Sequence, residues 1–173
     1  MSCAIKSPLS GIIPPLVTPL IDNDVLDKEG LEKLIEHLIE GGVHALFVLG
    51  TTGEAQSLSY KLRVEMIKNT CRIVDGRIPV LVCISDTSII ESVRLSYVAA
   101  DNGADAVVSA PPYYFAPGQP ELAEFYQRLI PQLSLPLFLY NMPSHTKVNF
   151  APSTVRRIAE DSRVIGFKDS SAN

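Results

Sequence analysis

Six short apolar runs recur along this chain, and an amphipathic stretch fills each gap between them. They cover residues 11–17, 45–50, 79–85, 106–110, 136–141 and 164–168. They are rich in Val, Ile, Leu and Phe and do not alternate with polar residues. Such runs are buried on both faces, which is the pattern of parallel strands. The gaps read as helices. Leu31, Leu34, Ile35, Leu38 and Ile39 follow an i, i+3, i+4, i+7, i+8 stripe behind an Asp27 cap, and Gly41-Gly42 ends it. Leu58, Leu62, Ile67, Cys71 and Val74 form a looser stripe. Ser88 with Glu91 makes a capping box for a third helix to about Asn102. Pro120 and Pro152 stand where a proline opens a helix, ahead of residues 122–133 and 155–159.

The strand ends return roughly every 30 residues, the length of a βα unit. That repetition fits a (β/α)8 barrel or a doubly wound sheet. No GxGxxG or GxxxxGK[ST] follows any strand, so the best nucleotide signatures of the open sheet are missing and the barrel is favoured. A barrel of this kind closes with eight strands, and six are visible. Residues 1–173 are therefore expected to be the first six βα units of a C-terminally truncated barrel.

Composition narrows the function. The chain has 173 residues, 46% of them hydrophobic and 20% charged, with a formal net charge of −4. No basic run is present that would neutralise phosphates, which argues against a nucleic-acid partner. The start, Met1-Ser2-Cys3-Ala4-Ile5-Lys6, lacks the pattern of a signal peptide, and no apolar run reaches the roughly 20 residues that span a bilayer. Cys3, Cys71 and Cys83 show no CxxC spacing, and His37, His44 and His145 show no metal-ligand spacing. The expectation is a cytoplasmic protein with idle thiols, no metal and no cofactor.

Chemistry collects at the strand ends, which face the active site in a barrel. The second run ends in Gly50-Thr51-Thr52-Gly53-Glu54. Its hydroxyls and backbone N–H groups, running into a helix N-terminus, suit a small carboxylate, or else form a plain capped turn. The fourth ends in Pro111-Pro112-Tyr113-Tyr114-Phe115, a rigid aromatic loop or a tyrosine aimed at a neighbouring subunit. The fifth puts Tyr140 at a strand mouth, on the same face as the Lys168 amine, as core edge or proton carrier. The sixth closes on Lys168, an amine that either snorkels to solvent or, once desolvated, attacks a carbonyl. Asp169 beside it reads as a simple ion-pair partner. Amine, phenol and anion site at three strand ends together suit a 2-oxo acid.

These segments resemble the dihydrodipicolinate synthase and N-acetylneuraminate lyase family, the pyruvate-dependent class I aldolases. The resemblance rests on Gly50-Thr51-Thr52-Gly53-Glu54, Pro112-Tyr113-Tyr114, Tyr140-Asn141-Met142-Pro143 and Gly166-Phe167-Lys168-Asp169. Gly11-Ile12-Ile13-Pro14-Pro15-Leu16-Val17-Thr18-Pro19 looks like the family's first strand. The resemblance implies a (β/α)8 barrel followed by a small helical domain, assembled as a homotetramer. On that basis the last two βα units and the helical domain are absent from residues 1–173. It also implies that Lys168 forms an imine with pyruvate or another 2-oxo acid and that Tyr140 shuttles protons. Thr51, Thr52 and Gly53 hold the carboxylate, with Thr51 in a hydroxyl relay that Tyr114 completes across a subunit contact. An aldehyde is the second substrate.

One departure bears on that aldehyde. Synthases acting on aspartate semialdehyde carry Arg and then Thr-Gly where this chain has His145, Thr146 and Lys147. An imidazole does not reproduce the paired hydrogen bonds of a guanidinium to a carboxylate, so His145 is either a weaker substrate-binding residue or a solvated loop residue, with Lys147 as a source of the missing charge. A sugar-acid lyase therefore stands beside the synthase, and a non-catalytic 2-oxo acid binder or an inactive fragment are the remaining alternatives.

Overall fold

The computed structural model describes residue 5 and residues 9–172, so Cys3 lies outside the described residues. The chain divides into two compact units, one of residues 1–83 and 98–106, the other of 84–97 and 107–173.

In the first unit, β1 (Leu20–Asp22) and β2 (Val25–Leu26) form an antiparallel hairpin. It leads into α1 (Lys28–Glu40), whose N-cap Asp27 accepts from Gly30 N at 2.9 Å. The cap satisfies an N–H that a helix start leaves open, as the sequence predicts. β3 (Leu46–Val48) pairs in parallel with β4 (Val80–Cys83), and α2 (Tyr60–Val74) connects them. Leu31 and Ile35 of α1 and Leu62, Met66 and Ile67 of α2 are buried, each helix turning its apolar stripe inward.

The expected first strand differs from its description in the sequence. Leu16 N donates to Phe47 O at 2.8 Å, Phe47 N to Pro14 O at 3.1 Å and His44 N to Ile12 O at 2.8 Å. The segment lies parallel to β3, but only the Pro15–Phe47 bridge registers. Pro14 and Pro15 have no N–H to donate, so the ladder is too sparse to form a full strand.

Asp105 closes the start of β4 twice. Its backbone N donates to Val80 O at 2.9 Å, and its buried carboxylate accepts from Val80 N at 2.9 Å. Burial first, and the Asp105 charge second, push the Cys71 thiol up to about 12. Asp105→Ala orphans the Val80 N–H and is expected to cost about 1–3 kcal/mol, read as a lower denaturant midpoint at unchanged slope.

The second unit carries the next three strands. α3 (Ile89–Asp101) leads to β5 (Ala106–Ser109), which pairs in parallel with β6 (Leu137–Asn141). β6 pairs in parallel with β7 (Val164–Asp169). α4 (Gln119–Leu129) packs on β5 through Tyr126, whose buried hydroxyl donates to Ser109 O at 2.9 Å. A one-turn α5 (Pro143–Thr146) and α6 (Pro152–Ile158) fill the crossover to β7. Neither the β1–β2 hairpin nor α5 is anticipated from the apolar runs. Both are too short to show a period, although Asn23 marks the hairpin turn by donating to its neighbour Asp22.

Candidate active site

The two residues with the strongest chemical potential meet on neighbouring strands. In the parallel ladder Tyr140 pairs with Lys168 and Asn141 with Asp169. Paired positions share a face of the sheet, so the phenol and the amine stand side by side. Lys168 Nζ lies 3.9 Å from the Tyr140 ring centroid and donates to Ser170 Oγ at 2.9 Å. Tyr140 is buried and Lys168 half-buried. The ring face attracts a cation, a contact of about 0.5–2 kcal/mol depending on desolvation.

A bulge sets this register. Leu137 pairs with Val164, but Phe138 pairs with Gly166, so β7 has one more residue than β6 at that step. Without it Tyr140 would oppose Phe167, and Lys168 would face the other side. Gly166 allows the arrangement. A Cβ there would stand 2.2 Å from Phe138 Cε1, inside the ring's contact radius.

The strand ends are tied by a second polar pair. Asn141 Nδ2 donates to Asp169 Oδ1 at 2.9 Å and to Asn149 Oδ1 at 2.8 Å. Asp169 also accepts from Ser171 N and Ser171 Oγ, at 3.1 and 3.0 Å. Asn141's hydrogen bond leads these in holding the Asp169 carboxyl below its ordinary value. Asp169, read from sequence as an ion-pair partner, is thus a hydrogen-bond acceptor at the strand ends. Asn141 and Ser170 are missed by the sequence reading. A buried amide inside Tyr140-Asn141-Met142-Pro143 was the available signal for the first, and nothing marked the second.

His145 is exposed on α5, with Nδ1 2.9 Å from Ser144 Oγ. Lys147 follows in a left-handed conformation, φ 60°, and donates from Nζ to Ser144 O at 2.8 Å. Tyr114 is 80% exposed in the loop after β5 and packs edge-on against Phe115, itself 84% exposed.

In the first unit, residues 50–54 form successive tight turns. Gly53 N donates to Gly50 O and Glu54 N to Thr51 O, both at 3.0 Å. Thr51 and Thr52 are exposed, while Gly53 is buried, with its carbonyl accepting from Thr18 Oγ1 at 2.7 Å. A Cβ at Gly53 would meet Leu16 O at 2.9 Å, so the backbone passes too close for any side chain. The turn does not run straight into a helix N-terminus, as the sequence suggested. A 3₁₀ turn at Ala55–Ser57 intervenes, and α2 starts behind its own cap, Ser59, which accepts from Leu62 N at 3.1 Å. Glu54 in the left-handed region, φ 52°, turns the chain away.

Among the described residues, no group of three or more His, Cys, Asp or Glu side chains is arranged to hold a metal ion. No described helix is long and apolar enough to cross a membrane.

The model of the dihydrodipicolinate synthetase family matches residues 8–173. The chain belongs to this family. It is 80% identical to dihydrodipicolinate synthase from Bacteroides thetaiotaomicron, whose structure superposes with a TM-score of 0.95 over 98% of this chain and 57% of that one. It is 36% identical over 162 residues to a probable 2-dehydro-3-deoxy-D-pentonate aldolase of Escherichia coli K12, covering 93% of this chain and 54% of the other. The prophage protein YagE of E. coli K12, solved in complex with pyruvate, is 34% identical with a TM-score of 0.92 over 96% of this chain and 56% of that one. The chain spans about half the length of the curated relatives it matches, 56% and 54% for two of them. Its architecture is that of the first six βα units of a (β/α)8 barrel.

Proposed function

We propose that this chain carries the Schiff-base centre of a pyruvate-dependent aldolase of the dihydrodipicolinate synthase type. Residues 1–173 supply its first six βα units. The observation that carries the reading is the Lys168 amine held 3.9 Å above the Tyr140 ring at paired positions of two parallel strands. The pyruvate complex of YagE supports the choice of 2-oxo acid.

In this reaction the unprotonated Lys168 amine adds to C2 of pyruvate, and the carbinolamine loses water to give an iminium. The iminium draws electrons from C3, so a C3 proton leaves to a base and an enamine forms. The enamine carbon then attacks the aldehyde carbonyl, whose oxygen takes up a proton. Water releases the product and returns the free amine. Run backwards, the sequence cleaves the C3–C4 bond and frees pyruvate. Tyr140 carries the protons, its phenol standing on the strand paired with that of the amine. Thr51 and Thr52 hold the pyruvate carboxylate, with Gly53 keeping their turn in shape, and Thr51 joins a relay completed by Tyr114 of a neighbouring copy in a homotetramer. Tyr114 and Phe115, with four-fifths of their surface exposed, suit such a contact. The buried thiols of Cys71 and Cys83 suit a reducing cytoplasm.

The Ser170 hydroxyl accepts from the amine at 2.9 Å and so helps to fix it. Ser170→Ala is expected to slow imine formation about threefold to tenfold, by freeing one rotamer-rich side chain. Stopped-time borohydride trapping measures it.

A second reading, a sugar-acid lyase, draws on His145, which stands exposed where the synthases' arginine would grip aspartate semialdehyde. Assays with pyruvate plus aspartate semialdehyde, and with 2-keto-3-deoxy sugar acids, separate the two. Pyruvate consumption in the first supports the synthase, and pyruvate release in the second supports the lyase. Absence of pyruvate-dependent carbon–carbon bond making or breaking with both contradicts the proposal.

A further inference from the structure

We propose that Asn141 is a positioning residue for this site: its carboxamide ties the ends of β6 and β7 so that the Lys168 amine stays over the Tyr140 ring. The inference rests on the Schiff-base reading above and adds a residue to it.

Asn141 follows Tyr140 and is 4% exposed. Its Nδ2 donates to Asp169 Oδ1 and Asn149 Oδ1, and its Oδ1 accepts from Phe150 N at 3.2 Å. The partners dictate which way the amide points. An ionised carboxylate only accepts and a backbone N–H only donates, so nitrogen must face Asp169 and oxygen Phe150. Both amide hydrogens are used, which suits a buried polar group. The backbone joins in, because Asn141 O accepts from Ser170 N at 2.9 Å. Asn141 therefore grips the two residues that follow Lys168. The side chain holds Asp169, and the carbonyl holds Ser170, whose hydroxyl receives the Lys168 amine.

The mount continues away from the site. Gln119, at the start of α4, donates to Asn149 O at 2.9 Å and accepts from Ala151 N at 3.0 Å and Thr154 Oγ1 at 2.6 Å. The loop that presents Asn149 and Phe150 to Asn141 is thus itself anchored to α4 and α6. A side-chain amide held at three points, on a residue whose backbone carbonyl holds a fourth, is a rigid mount, and small misplacements of a reacting group cost large rate factors.

Asparagine and aspartate have the same shape, which makes Asn141→Asp the informative variant. With both carboxyls ionised, the new side chain and Asp169 repel and no donor joins them. When the pair shares one proton, the bond between the strand ends re-forms. The rate of pyruvate imine formation, measured by borohydride quench between about pH 5 and pH 8, should be about 10- to 100-fold below the unsubstituted protein at pH 8. The gap should narrow as pH falls, which a merely structural role would not produce. A gap constant across pH, or a rate equal to that of the unsubstituted protein at pH 8, overturns the positioning role alone. No adduct in the unsubstituted protein overturns the Schiff-base reading, and this one with it. If Asn141→Asp does not fold by melting and circular dichroism, Asn149→Ala takes its place. That variant removes one acceptor at an exposed residue, and an unchanged imine rate in it also overturns the proposal.

Discussion

Replacing Lys168 with arginine is expected to lower turnover by about 10⁴-fold or more, because covalent catalysis loses its only nucleophile. Arginine keeps the charge and the reach of the side chain, and its guanidinium can still lie over the Tyr140 ring and donate to Ser170. It does not form an imine. The half-buried position of Lys168 leaves room for the change, so melting should move by only a few degrees, as for a change of less than about 1 kcal/mol. Activity lost with the fold intact separates chemistry from structure. Turnover with pyruvate and the melting curve, measured on one preparation, check both halves. Retention of even a tenth of the activity would remove Lys168 from the mechanism.

Tyr140→Phe is expected to have the second largest effect, about 10²- to 10⁴-fold on kcat, the usual worth of a placed proton carrier. Phenylalanine preserves the ring on which the Lys168 amine rests, 3.9 Å from its centroid, and deletes only the hydroxyl. The amine should therefore remain placed, and pyruvate should still be trapped by borohydride, more slowly. Tyr140→Ala removes the ring as well and should reduce trapping further. If Phe and Ala prove equal in trapping, the ring contact does not position the amine. If Tyr140→Phe leaves kcat unchanged, another group carries the protons.

The strand–helix alternation was legible because buried parallel strands need continuous apolar runs, and residues 46–48, 80–83, 106–109 and 137–141 keep that pattern, whereas 164–169 form the expected strand but alternate half-buried with exposed positions. The Asp27 cap was legible for a similar reason, since one oxygen satisfies one exposed N–H whatever lies beyond. The first strand was not, because its apolar content was read without charging Pro14 and Pro15 for their missing donors. Lys168 and Tyr140 could be named, and set on one face, from their places at strand ends. The register that makes them direct neighbours was not legible, because it depends on one extra residue in β7 near Gly166, and a bulge leaves no periodic trace in so short a strand. The role of Asn141 was hidden for another reason. Its partners Asn149, Phe150 and Asp169 lie 8, 9 and 28 residues away and come together only through the crossover. Thr51 and Thr52 stand in a turn whose shape the sequence suggested, but whose separation from α2 by the Ala55–Ser57 turn it did not.

The central claim is that Lys168 forms the imine. Sodium borohydride added to the protein in the presence of pyruvate, followed by peptide mapping, tests it directly. The account predicts one reduced pyruvyl group per chain, located on Lys168, dependent on pyruvate and absent from Lys168→Arg. An unmodified Lys168 under those conditions, or an adduct on a different lysine, would contradict it.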